Sequence, residues 1–85
     1  MNRYMSLAKL DIDEPAVIKS IELDGALLKR VYDLGFLPEV QIKCVQKAPK
    51  GSPIAFEIKE TIIALRKKDA EKIFCKSSLG GEKNE

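Results

Sequence analysis

Asp24-Gly25-Ala26-Leu27-Leu28-Lys29-Arg30-Val31-Tyr32-Asp33-Leu34-Gly35-Phe36-Leu37-Pro38 is the stretch around which the rest of the chain is organised. Asp24 suits an N-cap, Gly35 can take the left-handed conformation that ends a helix, and Pro38 forbids its resumption. The stretch predicts a helix over Gly25–Leu34. Leu27, Leu28, Val31 and Leu34 fall at i, i+1, i+4 and i+7, one apolar stripe expected to face a core. Lys29, Arg30 and Asp33 lie outside it.

On both sides of this helix the period switches to two. Before it, Ser6-Leu7-Ala8-Lys9-Leu10 predicts a short capped turn, and Pro15 opens an extended run to Ile21. Ile18 and Ile21 are out of phase for one strand, which predicts a bulge or the strand end between them. After it, Val40, Ile42 and Cys44 alternate with Gln41 and Lys43, a half-buried strand. Ala48-Pro49-Lys50-Gly51-Ser52-Pro53 is turn chemistry, and Ile54, Phe56 and Ile58 alternate beyond it as an antiparallel partner. Thr61–Arg66 predicts a further strand with Ile63 and Leu65 inward. Lys67–Lys72 is one polar turn, 3₁₀ or a single turn of helix, and Ile73-Phe74-Cys75 closes the sheet.

Five short strands, tight turns and one short helix inserted after the first strand predict a mainly β fold, a small and partly open barrel. Curling so short a sheet protects edges that a flat one would expose. The chain has 85 residues, enough for one domain and one modest core. That domain is expected over residues 1–76, with residues 77–85 as a disordered polar tail.

Composition narrows the chemistry. The chain has no histidine, which removes the commonest general base and transition-metal ligand, and no catalytic constellation stands out. The expectation is a protein that is not an enzyme and has no cofactor. Cys44 and Cys75 stand 31 apart without a CxxC pair and fit buried, reduced thiols rather than a metal pair or a disulfide scaffold. Asp11-Ile12-Asp13-Glu14 lacks the glycine and distal glutamate of a calcium loop and is expected as an exposed acidic turn. No apolar run approaches the roughly 18 residues needed to span a bilayer, and no secretory signal is visible, so a cytoplasmic protein is expected. Net charge is +2, unevenly spread: residues 1–24 sum to −2 and residues 40–76 to +5.

Three segments together resemble the FeoA family, ferrous iron transport protein A, whose fold is an SH3-like barrel. They are Gly25–Pro38, with its glycine, basic pair and Leu-Gly-Phe-Leu-Pro; Ala48–Ile54, with its proline-glycine-proline turn; and Ala64–Ile73, with its Ala-Leu-Arg strand and closing turn. Order and spacing match over roughly residues 6–76. The same barrel resembles the C-terminal domain of iron-dependent repressors, but this chain lacks their DNA-binding and dimerisation segments. Where the family usually has glycine after the motif proline, Glu39 stands; where it often has Pro-Gly before the first strand, Ile12-Asp13 stand; where it often has a hairpin glycine, Glu60 stands. All three are turn positions.

The resemblance implies an accessory of bacterial ferrous iron uptake that acts with a membrane permease carrying a GTP-binding domain, FeoB-like. Transition-metal binding is associated with the family, and no residue here is assigned to it. Lys29, Arg30, Tyr32, Phe36 and Leu37, in the family's best-marked segment, have the composition of an interface anchor and form the expected partner-binding surface. Two alternatives belong to other classes: a nucleic-acid-binding barrel, given the basic second half, and a stand-alone iron-regulator-like domain. Nucleic-acid faces interleave aromatics with basic residues, whereas Tyr4, Tyr32, Phe36, Phe56 and Phe74 are scattered.

Overall fold

The computed structural model describes residues 4–79. In chain order these form β1 (Met5–Ser6), a 3₁₀ turn (Leu7–Lys9), β2 (Pro15–Ile21), α1 (Gly25–Leu34), β3 (Gln41–Lys47), β4 (Ile54–Ile58), β5 (Thr61–Leu65), the single turn α2 (Lys67–Ala70) and β6 (Ile73–Ser77). The strands make one antiparallel sheet in the order β1-β6-β2-β3-β4-β5, with β1 and β5 at its open edges. The inward residues of strands far apart in this order, Ile73 and Cys75 of β6 with Ile54 and Phe56 of β4, belong to one core. The sheet is therefore curled around that core without closing. The five expected strands are all present; the two-residue β1 is the addition.

Alternation dictates this burial. Ile42 and Cys44 on β3, Ile54, Phe56 and Ile58 on β4, and Ile73 and Cys75 on β6 point inward at a spacing of two. The pairing of β2 with β6 shifts register between Ile18 and Ser20, so of the two expected alternatives it is a bulge, not the strand end, that lies there. Ser6 makes no capping hydrogen bond; it belongs to β1 and the turn after it is 3₁₀. β6 runs one residue past the expected boundary at Lys76, because Ser77 pairs with Ala16 and the Ser78 N–H donates to the Pro15 carbonyl at 2.9 Å. Residues 80–85 of the expected tail, and residues 1–3, lie outside the described residues.

Helix α1 has the predicted bounds. Asp24 is extended and its side chain makes no capping bond, so the helix start rests on backbone geometry alone. The end is a Schellman motif: the Gly35 N–H donates to the Tyr32 carbonyl and the Phe36 N–H to the Val31 carbonyl, both at 3.0 Å, with Gly35 at φ 109°. The expected stripe is only half core. Val31 is fully buried, Leu28 packs on the core in part, Leu27 is half-buried, and Leu34 is 38% exposed. Leu34 is a correction with a simple cause: as the last helical residue it overhangs the end of the element, and Phe36 fills the core in its place.

The three glycine-to-other departures share one backbone feature. Asp13 has φ 74°, Glu39 φ 72° and Glu60 φ 69°, all left-handed. Glu39 follows Pro38 in a turn closed by the Val40 N–H on the Leu37 carbonyl at 3.1 Å. Asp13 sits likewise in a turn closed by the Glu14 N–H on the Asp11 carbonyl at 3.0 Å. Turns with positive φ at the third position favour glycine there. Lys59 (φ 49°) and Glu60 form the two-residue β4–β5 hairpin, which needs positive φ at both.

Candidate docking groove

The expected surface residues separate into three environments. Lys29, Arg30 and Tyr32 are exposed on α1, where Lys29 Nζ lies 3.4 Å from Asp33 Oδ2, an i,i+4 ion pair. Leu37 is half-buried in the turn before β3. Phe36 is wholly buried, a correction to its place on the surface. The Schellman turn is the physical reason: it folds the residue after Gly35 back over the helix end, where an apolar side chain meets the last turn and the core. A phenylalanine directly after a helix-ending glycine was the sequence signal for that burial.

A groove of about 300 Å³ runs beside α1. One wall is α1 itself, through Leu27, Arg30, Val31 and Leu34. The other is the edge strand β5 and the turn into α2, through Ala64, Leu65, Arg66 and Asp69. It brings together Arg30 and Arg66, which are separate in the sequence. Arg66 Nε donates to Asp69 Oδ2 at 3.1 Å, and Asp69 is buried against it. Lys29 and Tyr32 stand outside this groove, and Leu34 and Ala64, absent from the expected surface, line it.

A wider cleft of about 640 Å³ lies between the start of β3 and the β4–β5 turn, lined by Glu39, Val40, Lys43, Glu57 and Glu60 among others. Its charges are largely matched: Lys19 Nζ is 3.2 Å from Glu39 Oε1, and Lys43 Nζ is 3.7 Å from Glu57 Oε1. None of the expected partner-binding residues is in it.

Cys44 and Cys75 are free and wholly buried. Burial pushes both thiols up, Cys44 against the lowering effect of Lys47, and Cys75 to about 12 with a further push from the Glu14 charge. Among the described residues no group of three or more His, Cys, Asp or Glu could hold a metal ion. The acidic run is a third correction: Glu14 is buried, accepting the Asp11 N–H at 2.9 Å and the Ser77 hydroxyl at 2.6 Å, and it ties the loop before β2 to the end of β6. Only Asp11, Ile12 and Asp13 are exposed. Among the described residues no helix is long and apolar enough to cross a membrane.

The curled antiparallel sheet, the one long helix α1 and the side groove define a small SH3-like domain. The model of the FeoA domain family matches residues 5–77, and the chain belongs to that family. It is 36% identical over 69 residues to a Fe(2+) transport protein A/Fe(2+) transporter FeoB fusion protein of Porphyromonas gingivalis, a match covering 81% of this chain and 8% of the fusion protein. The chain thus spans less than a tenth of the length of that curated relative. Iron(II) transport protein A from Clostridium thermocellum has a solution structure that superposes with TM-score 0.87 at 38% identity, over 89% of this chain and 47% of that one. FeoA from Stenotrophomonas maltophilia, a procaryotic SH3 domain protein crystallised with zinc, superposes with TM-score 0.73 at 28% identity, over 84% and 88%. The likeness to iron-dependent repressors is one of fold: IdeR from T. acidophilum superposes with TM-score 0.81 at 16% identity, over 92% of this chain and 36% of that one.

Proposed function

We propose that this chain is a non-enzymatic cytosolic accessory of ferrous iron uptake, which docks on the GTP-binding part of an iron permease and modulates transport. One observation carries the reading: a relative at 36% identity is a fusion of Fe(2+) transport protein A with the Fe(2+) transporter FeoB. Two domains joined in one polypeptide act at high effective concentration on each other, which favours direct contact between them. The exposed face of α1 offers Arg30 and Tyr32, the residue types that anchor interfaces, with Lys29 as a rim charge and Leu37 in the turn beyond. The nucleic-acid alternative is weakened by burial of Phe36 and Phe56, which removes two of the five aromatics from any stacking face.

The test is a titration of the isotope-labelled chain with the permease's cytosolic GTP-binding domain, followed by backbone amide shifts. Shifts should cluster on Lys29–Leu37, and Arg30→Glu should leave the fold intact while weakening binding by about 2 kcal/mol or more. Shifts confined to Val40–Lys59, with normal binding by Arg30→Glu, overturn the assignment of the surface. No binding at all overturns the docking role.

A further inference from the structure

The groove beside α1 has an unbalanced charge over an apolar floor. Arg30 and Arg66 stand on opposite walls, and Leu27 and Leu34 on the one side and Leu65 on the other supply the apolar lining. Asp69 offsets one positive charge and occupies the Nε of Arg66. A guanidinium carries five N–H donors in a fork that matches a carboxylate, so Arg66 retains its terminal donors for a second partner. Arg30 forms no ion pair among the described residues, nor do Lys67 and Lys68, which are exposed on the adjoining α2.

We propose that this groove seats an acidic amphipathic protein segment, which lays a leucine-sized side chain against Leu27 and Leu34 and a carboxylate between Arg30 and Arg66. The inference rests on the docking reading above and names the chemistry of what docks. Charge complementarity selects the sign of the occupant, and the planar forks of two arginines favour carboxylates. The apolar floor selects a side chain to cover it: Leu34 is exposed on a helix that is otherwise anchored through Val31, and such a residue at a groove mouth gains from burial on binding. A nucleic-acid strand suits the groove poorly. It has no aromatic wall for stacking bases, and the carboxylate of Asp69 opposes a phosphate.

The experiment uses the full chain, isotope-labelled, and two synthetic peptides. One is a helix-forming peptide with Leu and Glu on one face; the other has Lys at each Glu. The acidic peptide should shift the amides of Leu27, Arg30, Leu34 and Ala64, bind more weakly as salt is raised, and lose about tenfold in affinity to the Arg30→Ala/Arg66→Ala double variant. The Lys peptide should cause no such shifts. Equal binding of both peptides, shifts elsewhere, displacement of the acidic peptide by a single-stranded oligonucleotide, or concentration-dependent shifts of the same amides by the chain alone each overturn the proposal. Titration with the permease's cytosolic domain separates the two readings. If that domain binds the double variant as tightly as the parent chain, the groove assignment fails and docking stands. If it does not bind the parent chain while the acidic peptide seats in the groove, the docking role fails and the groove chemistry stands.

Discussion

Phe36 meets Phe56 edge-on, with ring centroids 6.2 Å apart and planes at 89°. The contact joins the turn after α1 to the centre of β4, and both rings are wholly buried. It is the preferred geometry for two quadrupolar rings, with the positive edge of one toward the negative face of the other. Truncating Phe36 to alanine removes this contact and opens a cavity beneath the helix end. Phe36→Ala is expected to cost about 3–5 kcal/mol in chemical denaturation. A cost below about 1 kcal/mol is incompatible with a core position.

The two residues at the end of the helical stripe should behave differently. Val31→Ala is expected to cost about 2 kcal/mol, because the side chain is fully enclosed and its loss leaves a void. Leu34→Ala should cost about 1 kcal/mol or less, since much of Leu34 is already in water. Midpoints of urea unfolding for the two variants, compared at equal m-value, decide the order.

At Glu60 the left-handed backbone is held by a side-chain residue on an exposed hairpin. Glycine relieves the clash between Cβ and the carbonyl oxygen at the cost of extra chain entropy in the unfolded state. Glu60→Gly is therefore expected to stabilise by about 0.5–1 kcal/mol, visible as a raised Tm. Glu39→Gly should gain less, because it also removes the exposed pair with Lys19.

Alkaline pH should weaken the fold through Cys75. Its folded thiol is pushed up from the ordinary 9.0 to about 12, chiefly by burial. Below 9.0 the thiol is protonated whether the chain is folded or not, and its contribution to stability is fully present. Between 9.0 and about 12 the unfolded chain releases the proton first, so stability falls with rising pH and levels off above that window. Cys75→Ala should show a shallower decline of unfolding free energy over this range, whatever its stability at pH 7. Folded protein should react slowly with a thiol reagent and unfolded protein quickly.

Glu14 gives a fifth handle on the fold, at the end where β6 leaves the sheet. Replacing its carboxylate by an amide turns one of two acceptors into a donor, facing either the Asp11 N–H or the Ser77 hydroxyl. Glu14→Gln is expected to cost about 1–3 kcal/mol. Amide exchange should quicken at Ser77 and Ser78 before it does at Cys44 or Phe56. Uniform quickening across the sheet would mean that Glu14 supports the whole core rather than this one end.

Much of the architecture follows from local chemistry. Period-two alternation from Ile42 to Ile58 settles which side chains face inward, because a strand turns successive residues to opposite faces. Gly35 and Pro38 end the helix where they do because one permits a left-handed residue and the other lacks an N–H. The FeoA resemblance is equally legible, since it rests on glycines and prolines at turns, where residue type and backbone angle are tightly coupled.

What the tertiary structure decided is which of the marked residues reach solvent and which meet. Helical period alone placed Leu34 in the core and left Phe36 for the surface; the Schellman turn exchanges them, because the direction in which the chain leaves a helix is set by what it packs on. Glu14 belongs to an acidic run by sequence and to the interior by structure, since its carboxylate finds its Ser77 donor 63 residues away. Arg30 and Arg66 share a groove only because β5 ends beside α1. Contacts of that range depend on how the sheet curls, a property of the whole core and of no single stretch of the chain.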